Sequence, residues 1–138
     1  MKSARLGSET VTQDVTVRVS PRYMPEQSDP EEPRFVFGYY VDVVNRGSTG
    51  VRILSRHWTI IDGNGDVHEV EGEGVVGLTP HIASGDSFRY GSYCPLRTEW
   101  GTMEGIYHAV RDDGSAIDLA IGRFYLVRES EDDRDRAE

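Results

Sequence analysis

The chain has one cysteine, Cys94, among 138 residues. An internal disulfide is therefore impossible, as is a zinc site built on two or more thiolates of one chain, and a reducing cytoplasm is the expected compartment. No run of about 18 apolar residues occurs, and residues 1–10 carry Lys2, Arg5 and Glu9 in place of an apolar stretch. Neither membrane insertion nor a signal peptide is expected. Basic residues are scarce as well: 15 Lys and Arg stand against 24 Asp and Glu, for a formal net charge of −9. Such a chain repels phosphate backbones at long range and lacks the clustered cations whose counterion release drives nucleic-acid binding. Nucleic acid is accordingly not an expected partner. Also missing is a 3.6-residue apolar period sustained over ten or more residues, which removes helices as the main building element.

What the chain has in quantity is alternation. Around its centre, Val51, Ile53, Ser55, His57, Thr59 and Ile61 fall on one side of a predicted strand, and Leu54, Arg56, Trp58 and Ile60 on the other. Trp58 is the expected core anchor, since an indole buries about 150–250 Å². Asp62, Gly63, Asn64 and Gly65 tolerate positive φ, so the chain reverses there into a second strand beginning at Val67. Before this unit, Val11, Val15, Val17 and Val19 predict one strand with Asp14 and Thr16 in water, ended by Pro21. Residues 25–34 read as an acidic loop punctuated by proline. Phe35, Phe37, Tyr39, Val41 and Val43 share a face, with Val36, Tyr40 and Val44 opposite, as a central strand requires. After it, Phe88, Tyr90, Ser92 and Cys94 alternate up to Pro95. Residues 102–111 pair through an Asp112, Asp113, Gly114 hairpin with Ile117, Leu119 and Ile121, and Phe124 and Leu126 trail beyond Gly122. About seven short strands predict an all-β, two-sheet antiparallel sandwich of the fibronectin type III or immunoglobulin kind. The domain is expected over 11–127, after a flexible N-terminus at 1–10. Residues 128–138, three arginines among six carboxylates, are expected as a disordered acidic tail.

Gly72, Glu73, Gly74, Val75, Val76 and Gly77 match GxGxxG. In a dinucleotide fold that motif opens a helix whose N-terminal amides hold pyrophosphate. Here Pro80 follows, no helical pattern develops, and Glu69, Glu71 and Glu73 flank the glycines, so a Rossmann site is excluded. A looser anion site made of loop amides, helped by Arg56 or Arg97, stays open beside the plainer reading of glycines at a bulge or tight turn. The three glutamates share a strand face near His57, His68 and His81, which would supply oxygen and imidazole ligands to a divalent cation, though at no diagnostic spacing. Ser55 and His57 lie two apart on one face and Cys94 has no identifiable base, so no catalytic residue and no cofactor are expected.

Three stretches together resemble the bacterial ApaG family, also called CorD. They are Ser55, Arg56, His57, Trp58; the run 71–77; and Gly101, Thr102, Met103, Glu104, Gly105. Pro25 to Ser28, the Asp62, Gly63, Gly65 turn and the run 84–88 support the resemblance, which spans about 11–127. It implies a fibronectin type III-like sandwich and no established reaction. It further implies links to diadenosine tetraphosphate hydrolase by gene neighbourhood and to cobalt resistance and magnesium efflux by phenotype. Related domains in F-box proteins and a DNA polymerase delta interacting protein look like protein-binding modules. The family's proposed phosphate contact falls on Gly72, Gly74 and Gly77. The chain departs from the common pattern at Tyr93, where glycine is usual, and at Glu99 and Trp100, which replace small residues.

Two functional expectations follow. One is a non-enzymatic module that holds an unidentified protein partner, with Gly72, Glu73, Gly74, Gly77, Arg56, His57 and Trp100 as candidate contacts. The other is a sensor of a divalent cation or a pyrophosphate compound at Glu69, Glu71, Glu73 and the glycines. A homodimer formed by extension of an edge strand is a further expectation.

Overall fold

In the computed structural model, which describes residues 6–128, the alternating segments form nine strands. They are β1 (Ser8–Thr12), β2 (Val15–Tyr23), β3 (Phe35–Asn45), β4 (Val51–Asp62), β5 (Val67–Glu73), β6 (His81–Ile82), β7 (Ser87–Leu96), β8 (Trp100–Arg111) and β9 (Ala116–Val127). One sheet has the order β1-β2-β3-β7 and the other β5-β4-β8-β9, with the short β6 also on β4. All pairings are antiparallel, and the two sheets enclose one core as an antiparallel β-sandwich. The acidic tail expected at 128–138 lies, from 129 onward, outside the described residues.

Trp58 is the anchor that its size predicts. It is 3% exposed and meets Tyr39, Tyr107 and Phe124 edge-on at centroid distances of 5.7, 6.2 and 5.9 Å. Its strand does not keep a single phase, however. Val51 and Ile53 are fully buried, the register against β8 shifts between Ile53 and Ser55, and beyond the shift Trp58 and Ile60 face the core. Leu54 is the extra, outward residue of this β-bulge. A second shift, between Met103 and Gly105 of β8, does the same to β9: Ile117, Leu119 and Ile121 point in before it, Phe124 and Leu126 after it. The glycine-marked turns form as expected. The Asp62 carboxylate accepts the N–H of Asn64 and of Asp66, and Gly65 has φ +85°; Gly114, φ +87°, closes the β8–β9 hairpin.

Several boundaries differ from the sequence reading. The expected first strand is a hairpin, β1 turning into β2 at Gln13 and Asp14, whose φ of 44° and 71° suit a two-residue turn that no glycine advertises. Ser8 to Thr10 thereby belong to a sheet instead of a flexible N-terminus. Thr16 is buried, not in water, with Val11 and Val44 as its neighbours on either side. Pro21 does not end β2, because the β1 pairing stops at Val19 and the missing N–H at Pro21 faces no strand. Pro95 likewise lies inside β7 at its unpaired edge.

Candidate functional site

The glycine stretch is a hairpin. Val75 and Leu78 exchange both backbone hydrogen bonds, at 2.8 and 2.9 Å, around Val76 and Gly77 with φ of 43° and 80°. Two successive positive φ angles are the signature of a type I′ turn. Gly74, φ +64°, donates to the Leu54 carbonyl at 2.7 Å, and a Cβ there would stand 2.1 Å from the Leu78 oxygen. The amides of Gly74, Val75 and Leu78 are thus taken, and no helix follows. Arg56 is occupied too. It points inward after the β4 bulge, lies across Gly72, and donates to the carbonyls of Glu73 and Gly74 at 2.9 and 3.0 Å. Arg52 pins the same loop from the outside through the Thr79 carbonyl at 2.7 Å. Gly72, Gly74 and Gly77 therefore serve an arginine contact, a close backbone approach and a turn.

His57 is on the opposite face. Its imidazole stands between two exposed carboxylates, Nε2 at 3.1 Å from Glu69 and Nδ1 at 3.3 Å from Glu71. Glu73 is paired across from Ser55, one step further along. The three glutamates do share a strand face, but among the described residues no group of three or more His, Cys, Asp or Glu is arranged to hold a metal ion. Nor does any described serine or cysteine hydrogen-bond to a histidine: His57, His81 and His108 face carboxylates, and burial pushes the Cys94 thiol up to about 11. Tyr90 and Tyr107 join hydroxyls in the core, their pKa values raised first by burial, and carry no accessible chemistry.

Trp100 is not near the glycines; it adjoins the other end of β4. About eight strand residues separate Asp62 from Leu54, or roughly 26 Å. The indole lies over Gly63, where a Cβ would meet Nε1 at 2.8 Å, and Thr98 bridges the two by accepting from the Gly63 N–H and donating to the Trp100 carbonyl. Cross-strand register then assembles a surface. Val67, Ile61, Thr102 and Tyr125 form one row across β5, β4, β8 and β9, and Trp100 pairs with Val127 in the next. Val67 is 58%, Trp100 51% and Tyr125 43% exposed. At the rim, Glu99 and Arg128 form an ion pair at 2.5 Å and bound, with Trp100 and Val127, a hollow of about 450 Å³. Sequence reading picked out Trp100 but missed Val67, Ile61, Tyr125 and Val127. Phase alone puts them outward, but only strand register puts them together.

Comparison with known proteins places this geometry in a family. The family model described as ApaG domain (DUF525) matches residues 25–111. Protein ApaG of Bordetella pertussis is 50% identical over 114 residues, 83% of this chain and 87% of that protein, and Protein ApaG of Anaeromyxobacter dehalogenans is 48% identical over 120 residues, 87% and 94%. Their name states no reaction. A crystal structure of the ApaA protein from Bordetella pertussis superposes with a TM-score of 0.80 at 49% identity, covering 83% of this chain and 93% of that one. The C-terminal domain of wzt, at 10% identity and TM-score 0.52, shares the fold alone. The sandwich, the 71–77 hairpin and these matches together show that the chain belongs to the ApaG family.

Proposed function

We propose that the chain is a non-enzymatic, cytoplasmic binding module that holds a protein partner on the outer face of its β5-β4-β8-β9 sheet, at the Trp100 end. The observation that supports this is a mainly apolar surface of exposed Val67, Trp100 and Tyr125 with half-buried Ile61 and Val127, set around the buried Thr102 and with the Glu99–Arg128 pair at its rim. Exposed aromatics with apolar neighbours and a polar border are what protein interfaces use, because rigid rings give contact area at little entropic cost. No helix among the described residues is long and apolar enough to cross a membrane. An effect on cobalt resistance or magnesium efflux is then exerted through the partner.

The sensor alternative gains nothing from the geometry, since Arg56 and three of the hairpin amides are committed within the chain. The test is site-specific photocrosslinking in cells. A photoreactive residue at Val67 should give one discrete protein adduct that Trp100→Ala abolishes, whereas the same residue at Asp118, on that face but at its far end, should give none. Equal labelling from both positions would sink the proposal.

A further inference from the structure

The four sheet edges are not equally protected. β1 and β9 close over each other through side chains: Ser8 Oγ donates to the Gly122 carbonyl at 2.8 Å, and the Ala120 N–H donates to Thr12 Oγ1 at 3.2 Å. The β5 edge carries Glu69, Glu71 and Glu73, the charged guard that discourages strand pairing. β7 is more lightly guarded, with a single outward charge, Arg89, a proline near its end, Pro95, and no carboxylate along it. Among the described residues it pairs with β3 alone, and no backbone hydrogen bond from a described turn or loop reaches its outer side.

Which of its groups face outward follows from two bonds. The Met24 N–H donates to the Val36 carbonyl, so Val36 faces β2, and its β7 partner Pro95 faces away from β3. At the other end the Asn45 N–H donates to the Asp86 carbonyl, which puts Ser87 in the same outward phase. Strand alternation makes Ser87, Arg89, Gly91, Tyr93 and Pro95 the unpaired set. Gly91 is its midpoint.

We propose that a second copy of this chain pairs with β7, antiparallel, about a two-fold axis at Gly91. The registry is self-complementary. Gly91 meets the partner's Gly91, Arg89 meets the partner's Tyr93, and the Ser87 N–H meets the carbonyl of the partner's Pro95, which lacks only the donor it cannot supply. Arg89 already lies over the ring of Tyr40 at 4.7 Å, so a second exposed ring extends an existing cation–π arrangement. Glycine at the axis is also needed sterically, because the Tyr40 ring covers Gly91 and a Cβ there would meet it at 2.9 Å.

The pairing completes a groove. On the outer face of this sheet, Gly38 and Gly91 floor a hollow of about 320 Å³ walled by Tyr40, Tyr93, Arg22 and Met24. Its last wall is the edge strand itself, so the partner's Arg89 and Tyr93 prolong it across the axis. This surface is separate from the Trp100 face, and the inference does not depend on the function proposed above.

Sedimentation over a wide concentration range is the primary test. A reversible dimer is expected, with Tyr93→Pro, which removes one outward N–H and one ring, raising its dissociation constant at least tenfold. The double variant Arg89→Cys with Tyr93→Cys, which places a thiol opposite a thiol across the axis and leaves Gly91 in place, provides the second arm. Directly hydrogen-bonded partners stand about 5.5 Å apart at Cα, within disulfide reach, so mild oxidation should link the dimer covalently, while Ser20→Cys on the same face should not. The native Cys94 is buried and does not compete. A monomer at every concentration, a dimer indifferent to Tyr93→Pro with the protein still folded, or linkage by Arg89→Cys with Tyr93→Cys no greater than by Ser20→Cys overturns the proposal. If Tyr93→Pro does not fold, the two cysteine variants decide.

Discussion

Gly72 and Arg56 offer a direct test of what the GxGxxG stretch is for. A methyl group at Gly72 would lie 2.7 Å from one guanidinium nitrogen of Arg56 and 2.8 Å from its central carbon, well inside contact distance. Gly72→Ala must therefore displace the guanidinium from the carbonyls of Glu73 and Gly74 or push β5 away from β4. Displacing the guanidinium forfeits those two hydrogen bonds, about 2 kcal/mol in all. Arg56→Ala removes the same two hydrogen bonds, at about 1 kcal/mol each once the half-exposed position is considered, for a loss of about 2 kcal/mol. In the Arg56→Ala background the three atoms nearest to the new methyl are gone. Gly72→Ala should then be neutral, or slightly stabilising through the stiffer unfolded chain. Urea unfolding of the four proteins should give a coupling energy of about 2 kcal/mol. Additivity within about 0.5 kcal/mol would refute the view that this glycine exists to seat the arginine.

Two further predictions concern the turns. Val76 is a β-branched residue at φ 43° with its side chain exposed, so Val76→Asn, which creates the Asn-Gly sequence favoured in type I′ turns, should stabilise the protein by about 1 kcal/mol in the same unfolding assay. Burial works to raise the Asp62 carboxyl, but the N–H groups of Asn64 and Asp66, with His68 beside it, outweigh burial and hold it below the usual carboxylate range. Its contribution is thus fully present above the unfolded-state value of about 3.9 and is lost as pH falls through the lower folded value. Asp62→Asn should melt earlier than the parent at pH 7, with the gap shrinking as pH falls below about 3.9; a gap that does not shrink in acid would remove the carboxylate as its source.

Local pattern determined much of this protein. Period-two alternation, glycine and aspartate at the turns and the absence of any helical period specified an antiparallel sandwich with Trp58 inside, because strand faces and turn conformations are decided within a few residues. The family was legible for a related reason: short runs such as 55–58 and 71–77 are each tied to a particular bulge, hairpin or close contact. Where the decisive partner lies far along the chain, local pattern fails. Only pairing with β8 shows that Leu54 is a bulge, which turns Arg56 inward onto Gly72 while His57 points outward, so that His57 parts company with the other two candidates. The Gln13–Asp14 hairpin has no glycine to announce it and forms because β1 finds an edge of β2. The Trp100 surface is likewise a product of register, since Val67, Ile61, Thr102 and Tyr125 come from four strands and meet only when backbone hydrogen bonds bring them into line. The open edge at β7 belongs to the same class, because an edge exists only once the order of strands in the sheet is set.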